Sequence, residues 1–321
     1  MLSLRWIVNG GMVGLPIGVT LAVLFAIQPW DPSEGSGGTG GSGGGSNGTP
    51  WSGTDNKVIT STYCQDSYGI TPPSEGLQYT LNPNQWGLTD TTVGGLCMNV
   101  TANNNGTYAT NTTAPKWSIT WEYEQGPATQ PVHAFPNAKI DNVLPDLLSD
   151  ITAMNLGFHW TYGPGNESAT STDVDALTAN SLNANVALDM FIDSDRTQAQ
   201  NSSLAAYEVM VWFAAIGAAT QPIGLSAGAV ATETIGGVTF SLYTGTNSHD
   251  QNVLSWVPAD PVENMDADLL PLVTKTLSMT GDGFPKSTDY LGYLSIGSEA
   301  YYSNGFVTFT VSELSIDIRL K

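Results

Sequence analysis

From Trp51 onward the chain alternates apolar and polar residues in short runs, and each run stops at Gly, Pro or Asn. Period-two alternation places successive side chains on opposite faces of an extended strand, so such runs predict half-buried antiparallel sheet. The clearest cover 116–124, 185–192, 206–213, 237–243 and 306–318. Many short strands with little helical periodicity predict an all-β sandwich. One segment breaks the pattern: Leu269, Leu270, Val273 and Leu277 recur at helical spacing, with Asp268 as N-cap and Gly281 and Gly283 as the stop. Pro271 falls in the first turn of that helix, where its missing N–H costs nothing.

The N-terminal stretch reads differently. After Arg5, the segment from Trp6 to Trp30 carries no charge, and LPIGVTLAVLFAI within it is apolar enough to enter a bilayer. Residues 1–30 are therefore read as a signal-anchor or a signal peptide. The run ends in Ile27, Gln28, Pro29 and Trp30 without a small-residue cleavage site, which favours a retained anchor. Arg5 precedes the span, while Asp31 and Glu34 follow it, leaving the rest of the chain outside the cell. Residues 31–54 form a Gly/Ser-rich tether with almost nothing to bury, and 55–321 the folded domain. Within the tether, Gly38, Gly40 and Gly43 match a dinucleotide-binding glycine pattern, but neither the preceding strand nor the following helix is present.

Composition narrows the partners. With 29 Asp plus Glu against 9 Lys plus Arg the formal charge is -20, so a phosphate backbone would be repelled and nucleic acid is excluded as a partner. The chain has 9 Trp and 12 Tyr, flat faces that fill cores and also stack on sugar rings. Its two cysteines, Cys64 and Cys97, lie in no metal-ligand spacing, so no metal site is expected. In an oxidising compartment they would bridge and close a loop of 97 − 64 = 33 residues; otherwise they are two buried thiols. Six N-x-S/T sequons, at Asn47, Asn99, Asn105, Asn111, Asn166 and Asn201, agree with an extracellular, glycosylated surface.

One strand carries candidate chemistry. In 206–213, Val209, Val211 and Phe213 share the face that suits the core, leaving Glu208, Met210 and Trp212 on the other. A carboxylate, a thioether and an indole in one row suit a substrate cleft, although an isolated Glu on a strand is most often a solvated charge. The same parity in 185–192 turns Val186, Leu188, Met190 and Ile192 inward and Asn185 and Asp189 outward, so Asp189 approaches Glu208 if the strands are neighbours.

Further motifs follow in order: Cys64; Asn84-Gln-Trp86-Gly87; Cys97; Pro136-Asn137-Ala138; Asn185-Val-Ala-Leu-Asp189; Tyr207-Glu208-Val-Met210-Val-Trp212; Pro222-Ile-Gly224; and Gly297-Ser298-Glu299. From about Tyr63 to the C-terminus the chain resembles glycoside hydrolase family 12, secreted retaining endoglucanases and xyloglucanases. The resemblance implies a concanavalin-like β-jelly-roll of two antiparallel sheets with one helix. It implies a monomeric, cofactor-free endo-β-1,4-glucanase acting on cellulose or β-glucan, with xyloglucan as the alternative substrate. It carries the nucleophile to Glu208, the acid/base to Glu299 and the carboxylate beside the nucleophile to Asp189. Trp86, Asn84, Tyr68, Asn185, Met210 and Trp212 become candidate substrate contacts. The acid/base motif departs from the family's G-T-E-P-F, with Ser298 for Thr, Ala300 for Pro and Tyr301 for Phe. A glycan-binding module that no longer cuts is the reading of another class. In the retaining mechanism two carboxyls lie roughly 5 to 5.5 Å apart, one ionised to attack and one protonated to donate.

Two further features carry no chemistry in this reading. Gly224-Leu-Ser226-Ala-Gly228 fits a nucleophile-elbow pattern without its strand–turn–helix context. His133, His159 and His249 stand singly and are read as packing or surface residues.

Overall fold

The computed structural model describes residues 50–51, 53–64, 69–86, 93–128 and 130–321. The expected membrane segment 1–30, positions 31–49 of the tether and the candidate contact Tyr68 lie outside the described residues. Among the described residues no helix is long and apolar enough to cross a membrane.

The strands form two sheets. One runs, in hydrogen-bonding order, β1 (Val58–Tyr63), β3 (Gly94–Asn103), β4 (Lys116–Tyr123), β16 (Val307–Leu320), β7 (Ile151–Pro164) and β13 (Asn264–Asp268). The other runs β10 (Ala231–Ile235), β11 (Val238–Thr246), β12 (Asn252–Pro258), β9 (Tyr207–Ile216), β8 (Asn183–Asp193), β14 (Tyr290–Gly297), β5 (Asn137–Asp141) and β2 (Gln78–Asn82). Two short strands flank it, β15 (Ala300–Tyr302) on β8 and β6 (Asp146–Leu147) on β14. The predicted runs all fall on strands, β4, β8, β9, β11 and β16.

Three expectations need correction. The second sheet is not wholly antiparallel, because β12 pairs with β9 in parallel. The chain leaves β9 for β10 and then reverses twice, from β10 to β11 and from β11 to β12, and that even number of reversals leaves β12 running in the same direction as β9. A second helix also exists. Besides α2 (Leu270–Leu277), α1 (Val174–Ala179) forms behind Asp173, whose carboxylate accepts from the Ala176 N–H at 3.0 Å. Its six residues are too short to leave an apolar stripe in the sequence. For α2 the N-cap is Leu269 rather than Asp268. Asp268 acts from the end of β13, accepting from the N–H groups of Leu270 at 2.9 Å and Met154 at 2.8 Å.

The core lies between the sheets, where the inward face predicted for β8 and β9 is observed. Val186, Leu188, Met190, Ile192, Val209, Val211 and Phe213 are buried with Trp117, Ile119, Trp121, Phe158, Trp160 and Phe309 from the opposing sheet. Phe213 meets Phe158 edge to face at 5.2 Å, an arrangement that adds about 0.5–1.5 kcal/mol to burial. Trp51, in the expected tether, packs into the same core and tilts over Tyr63 at 6.3 Å. Cys64 and Cys97 form a disulfide at the paired ends of β1 and β3.

Candidate active site

The registers of the second sheet assemble one row of side chains on the face turned away from the core. Phe191 on β8 pairs with Glu208 on β9, and Glu208 with Val253 on β12. Two residues along, Ser295 pairs with Asp189, Asp189 with Met210, and Met210 with Ser255. Glu208 and Asp189 are therefore diagonal neighbours on adjacent strands, a spacing of about 7–8 Å that long side chains bridge. Next in line Gly297 pairs with Ala187 and Ala187 with Trp212. Ala187, Met210 and Trp212 form a small apolar cluster with Val257 against it, and the Trp212 indole N–H donates to Met210 Sδ at 3.4 Å.

Glu299 enters from the bend between β14 and β15. The bend is tight, and a Cβ at Gly297 would sit 2.0 Å from the Pro136 carbonyl oxygen, so only glycine fits. Asn185 then holds Glu299 twice. Its Nδ2 donates to Glu299 Oε2, and its Oδ1 accepts from the Glu299 backbone N–H at 2.9 Å. Ser298 locks the same strand by donating to the Asn185 carbonyl at 2.6 Å, and it contacts the Tyr162 hydroxyl at 3.3 Å, which itself accepts from the Trp121 indole at 2.6 Å. Serine in place of threonine thus keeps the hydroxyl that is used. Alanine in place of proline adds a bond, because the Ala300 N–H donates to the Ala134 carbonyl at 2.9 Å.

The acids are deeply buried: Glu208 is 0% exposed, Glu299 1% and Asp189 4%. Each keeps one oxygen, Glu208 Oε1, Glu299 Oε1 and Asp189 Oδ1, buried with no hydrogen-bond partner. Burial penalises the charged form and raises all three acids. Glu299 is pushed up to about 7, against the opposing effect of the Asn185 N–H. Glu208 lies well above the usual carboxylate range because of burial, then the charge of Asp189, then that of Glu299, with the Asn247 N–H opposing. Asp189 is raised by burial and then by Glu299. Three desolvated acids sharing one field do not all ionise near neutrality, so the site stores at least one proton beside an ionisable neighbour.

The other candidate contacts are placed as follows. Trp86, 5% exposed, packs with Val132, Phe135 and Tyr301, and its indole N–H is buried without an acceptor. Asn84 is half-buried with φ 43°, and its side chain donates to the Phe135 carbonyl at 3.2 Å. Segment 133–136 stitches this wall to the acid: Trp86 N–H donates to the His133 carbonyl at 2.9 Å, and His133 N–H to the Ala300 carbonyl at 2.8 Å. The amide of Asn185 is committed to Glu299 rather than left open.

Sequence reasoning missed Asn247, whose Nδ2 donates to Glu208 Oε2 at 3.0 Å. It sits in a polar turn, Thr244-Gly-Thr-Asn-Ser-His-Asp250, where an Asn is explained by turn formation alone. Tyr301, which the sequence marks only as a departure from the family motif, is the second such residue. It is the bulged residue of β15, lying between Ala300 opposite Ala184 and Tyr302 opposite Asn183. Its phenol is raised well above its usual value by burial, then by Glu299 and Glu208.

His133 stacks on Tyr123 at 4.8 Å and contacts the Glu124 carbonyl, while His159 pairs with Asp266 and Glu313. The Gly224–Gly228 segment is a single turn between β9 and β10, without the helix an elbow requires. Among the described residues no group of three His, Cys, Asp or Glu could hold a metal ion.

The chain is thus an all-β sandwich with three carboxyls buried together at one sheet, and comparison with known proteins gives its family. The model of glycosyl hydrolase family 12 matches residues 77–319. A xyloglucan-specific endo-beta-1,4-glucanase A from Emericella nidulans is 28% identical over 235 residues, 73% of this chain and 83% of that protein. The enzyme of the same name from Aspergillus niger is 30% identical over 233 residues, 73% and 82% of the two chains. The crystal structure of Trichoderma harzianum endoglucanase 3 superposes with a TM-score of 0.61 at 24% identity, covering 81% of this chain and 98% of that one. The catalytic domain of Humicola grisea Cel12A, in complex with a thio cellotetraose, gives 0.61 at 23%, covering 80% and 99%. The chain belongs to glycosyl hydrolase family 12.

Proposed function

We propose that the chain is a retaining endo-β-1,4-glucanase with Glu208 as nucleophile and Glu299 as acid/base. The observation that carries the reading is the set of three buried carboxyl oxygens without protein partners. A buried unsatisfied acceptor is costly, and a site that keeps three together gains by presenting them to a ligand. Ionised Glu208 attacks the anomeric carbon and forms the glycosyl ester, while Glu299 passes its proton to the departing glycosidic oxygen. Glu299, now ionised, takes a proton from water, whose oxygen displaces Glu208 with a second inversion. The value of about 7 suits Glu299 to donation below neutrality. Asp189, also raised, shares a proton with Glu208 and governs which of them ionises first. Trp86, with Asn84 and Tyr68, supplies sugar contacts, and Met210 and Trp212 form the floor beside the nucleophile.

Substrates are β-1,4-glucan backbones, cellulose or mixed-linkage glucan. The names of the fungal relatives favour xyloglucan as the preferred form. The protein is proposed to be an extracellular, glycosylated monomer, either released or tethered through residues 1–30; the Cys64–Cys97 disulfide and the exposed sequons Asn111 and Asn166 support the extracellular location. The test is reducing-end release from carboxymethyl cellulose, barley glucan and xyloglucan, repeated with Glu208→Ala and Glu299→Ala. The first-formed product should keep the β-anomer; initial release of the α-anomer, or no turnover by the wild type, defeats the reading.

A further inference from the structure

The proposed nucleophile is supported from a part of the fold that no sequence motif marks. Asn247, in the turn joining β11 to β12, is held on every side. Its Oδ1 accepts from the backbone N–H groups of His249 at 3.0 Å and Gln251 at 3.1 Å, while its Nδ2 donates to Glu208 Oε2 at 3.0 Å and Gln251 Oε1 at 2.8 Å. The two backbone donors fix the amide orientation, because a flipped amide would face N–H against N–H and turn its oxygen onto a carboxylate. Gln251 continues the chain. Its Nε2 donates to the carbonyls of Ser202 at 2.7 Å and Ala205 at 2.8 Å, in the segment leading into β9. Glu208, Asn247 and Gln251 are all buried, and every amide hydrogen of the two side chains is used.

We infer that Gln251 and Asn247 form a positioning relay: Gln251, which touches no reacting group, pins the Asn247 amide so that it aims Glu208 and stabilises its charged form. This rests on reading Glu208 as the nucleophile. The relay ties the hairpin 246–252 to the segment before β9, so the carboxylate is set from two elements beyond its own strand. An N–H aimed at a buried carboxylate favours the ionised over the protonated acid, and weakly polar surroundings strengthen that preference. The groups opposing it are Asp189 on β8 and Glu299 beside β15. The neutral phenol of Tyr301 also lies within their field. β12 offers only Val253 opposite Glu208.

The full chain is compared with Asn247→Ala, Gln251→Met and the double variant by three readouts: the acidic limb of the kcat/KM pH profile, carbon-13 NMR titration of the Glu208 carboxyl, and thermal unfolding. Asn247→Ala should move the acidic limb and the carboxyl titration to higher pH by about one unit, the effect of one hydrogen bond to a charged group. Gln251→Met keeps length but loses the polar end, and should shift both in the same direction by less. The double variant should shift no further than Asn247→Ala, because Gln251 works through Asn247. If Asn247→Ala does not fold, Asn247→Ser removes the reach to Glu208 and reads the same limb. Equal loss of activity at every pH with an unmoved carboxyl, or additive shifts in the double variant, overturns the relay. Should the wild type cleave no glucan, the NMR titration still decides: a raised Glu208 in the variants upholds the relay and removes only the hydrolase reading.

Discussion

Glu299→Gln should stabilise the fold as pH rises, by an amount that follows from the burial of the acid. The folded chain holds the Glu299 proton up to a pH of about 7, against an ordinary value of 4.5. Between those values the unfolded chain releases a proton that the folded chain keeps, so the folded state binds more protons and stability falls as pH climbs through this window. The difference of 7 − 4.5 = 2.5 units corresponds to about 3 kcal/mol, fully present as a cost above pH 7 and absent below 4.5. Glutamine carries no such cost. Its oxygen still accepts from Asn185, and its amide nitrogen takes the place of Glu299 Oε1, which has no hydrogen-bond partner to lose. Denaturant unfolding of the full chain at pH 4, 6 and 8 should find the variant near wild type at pH 4 and more stable by up to about 3 kcal/mol at pH 8. It should also lose roughly 10²- to 10⁴-fold in kcat on polysaccharide, the size of a general acid/base contribution. A stability difference that is constant with pH, or that shrinks as pH rises, would refute the assignment of a retained proton to Glu299.

Two further outcomes test the surroundings of the site. Tyr301→Phe removes the hydroxyl that lies in the field of Glu299 and Glu208 beside Trp86; KM for cello-oligosaccharides should rise about 3- to 10-fold, as for one neutral hydrogen bond, with thermal unfolding unchanged. Cys64→Ser with Cys97→Ser opens a loop of 33 residues and should cost about 3–4 kcal/mol. Thermal unfolding with and without reductant reads that loss: reductant should shift the wild type and leave the double variant where it is.

The sheet was legible because alternation is a local property. A one-residue change of phase in β9 would have turned Glu208 into the core and Val209 out, and the observed faces keep the phase read from the sequence. The parallel pairing of β12 with β9 was not legible, since it depends on how far the intervening hairpin reaches. α1 was hidden by its length. At the site, Glu208 and Asp189 followed from parity once their strands were neighbours, and Glu299 followed from a motif. Asn247 did not, because an asparagine in a turn satisfies the local backbone whether or not it also meets a carboxylate, and only the tertiary fold brings residue 247 to residue 208.

The departures at Glu299 make the same distinction between what a residue type says and what its surroundings decide. Read as letters, Ser298, Ala300 and Tyr301 weaken the motif. In the fold, the serine hydroxyl binds the Asn185 carbonyl, the alanine N–H binds Ala134, and Tyr301 packs on Trp86. The carboxyl between them is held by Asn185 at both its side chain and its backbone. Burial of an acid costs stability at neutral pH, and that cost persists where surrounding bonds hold the acid in place. On the role proposed for Glu299, the proton it retains on folding is the one a general acid must bring to the glycosidic oxygen, which would set stability and catalysis in opposition at one side chain.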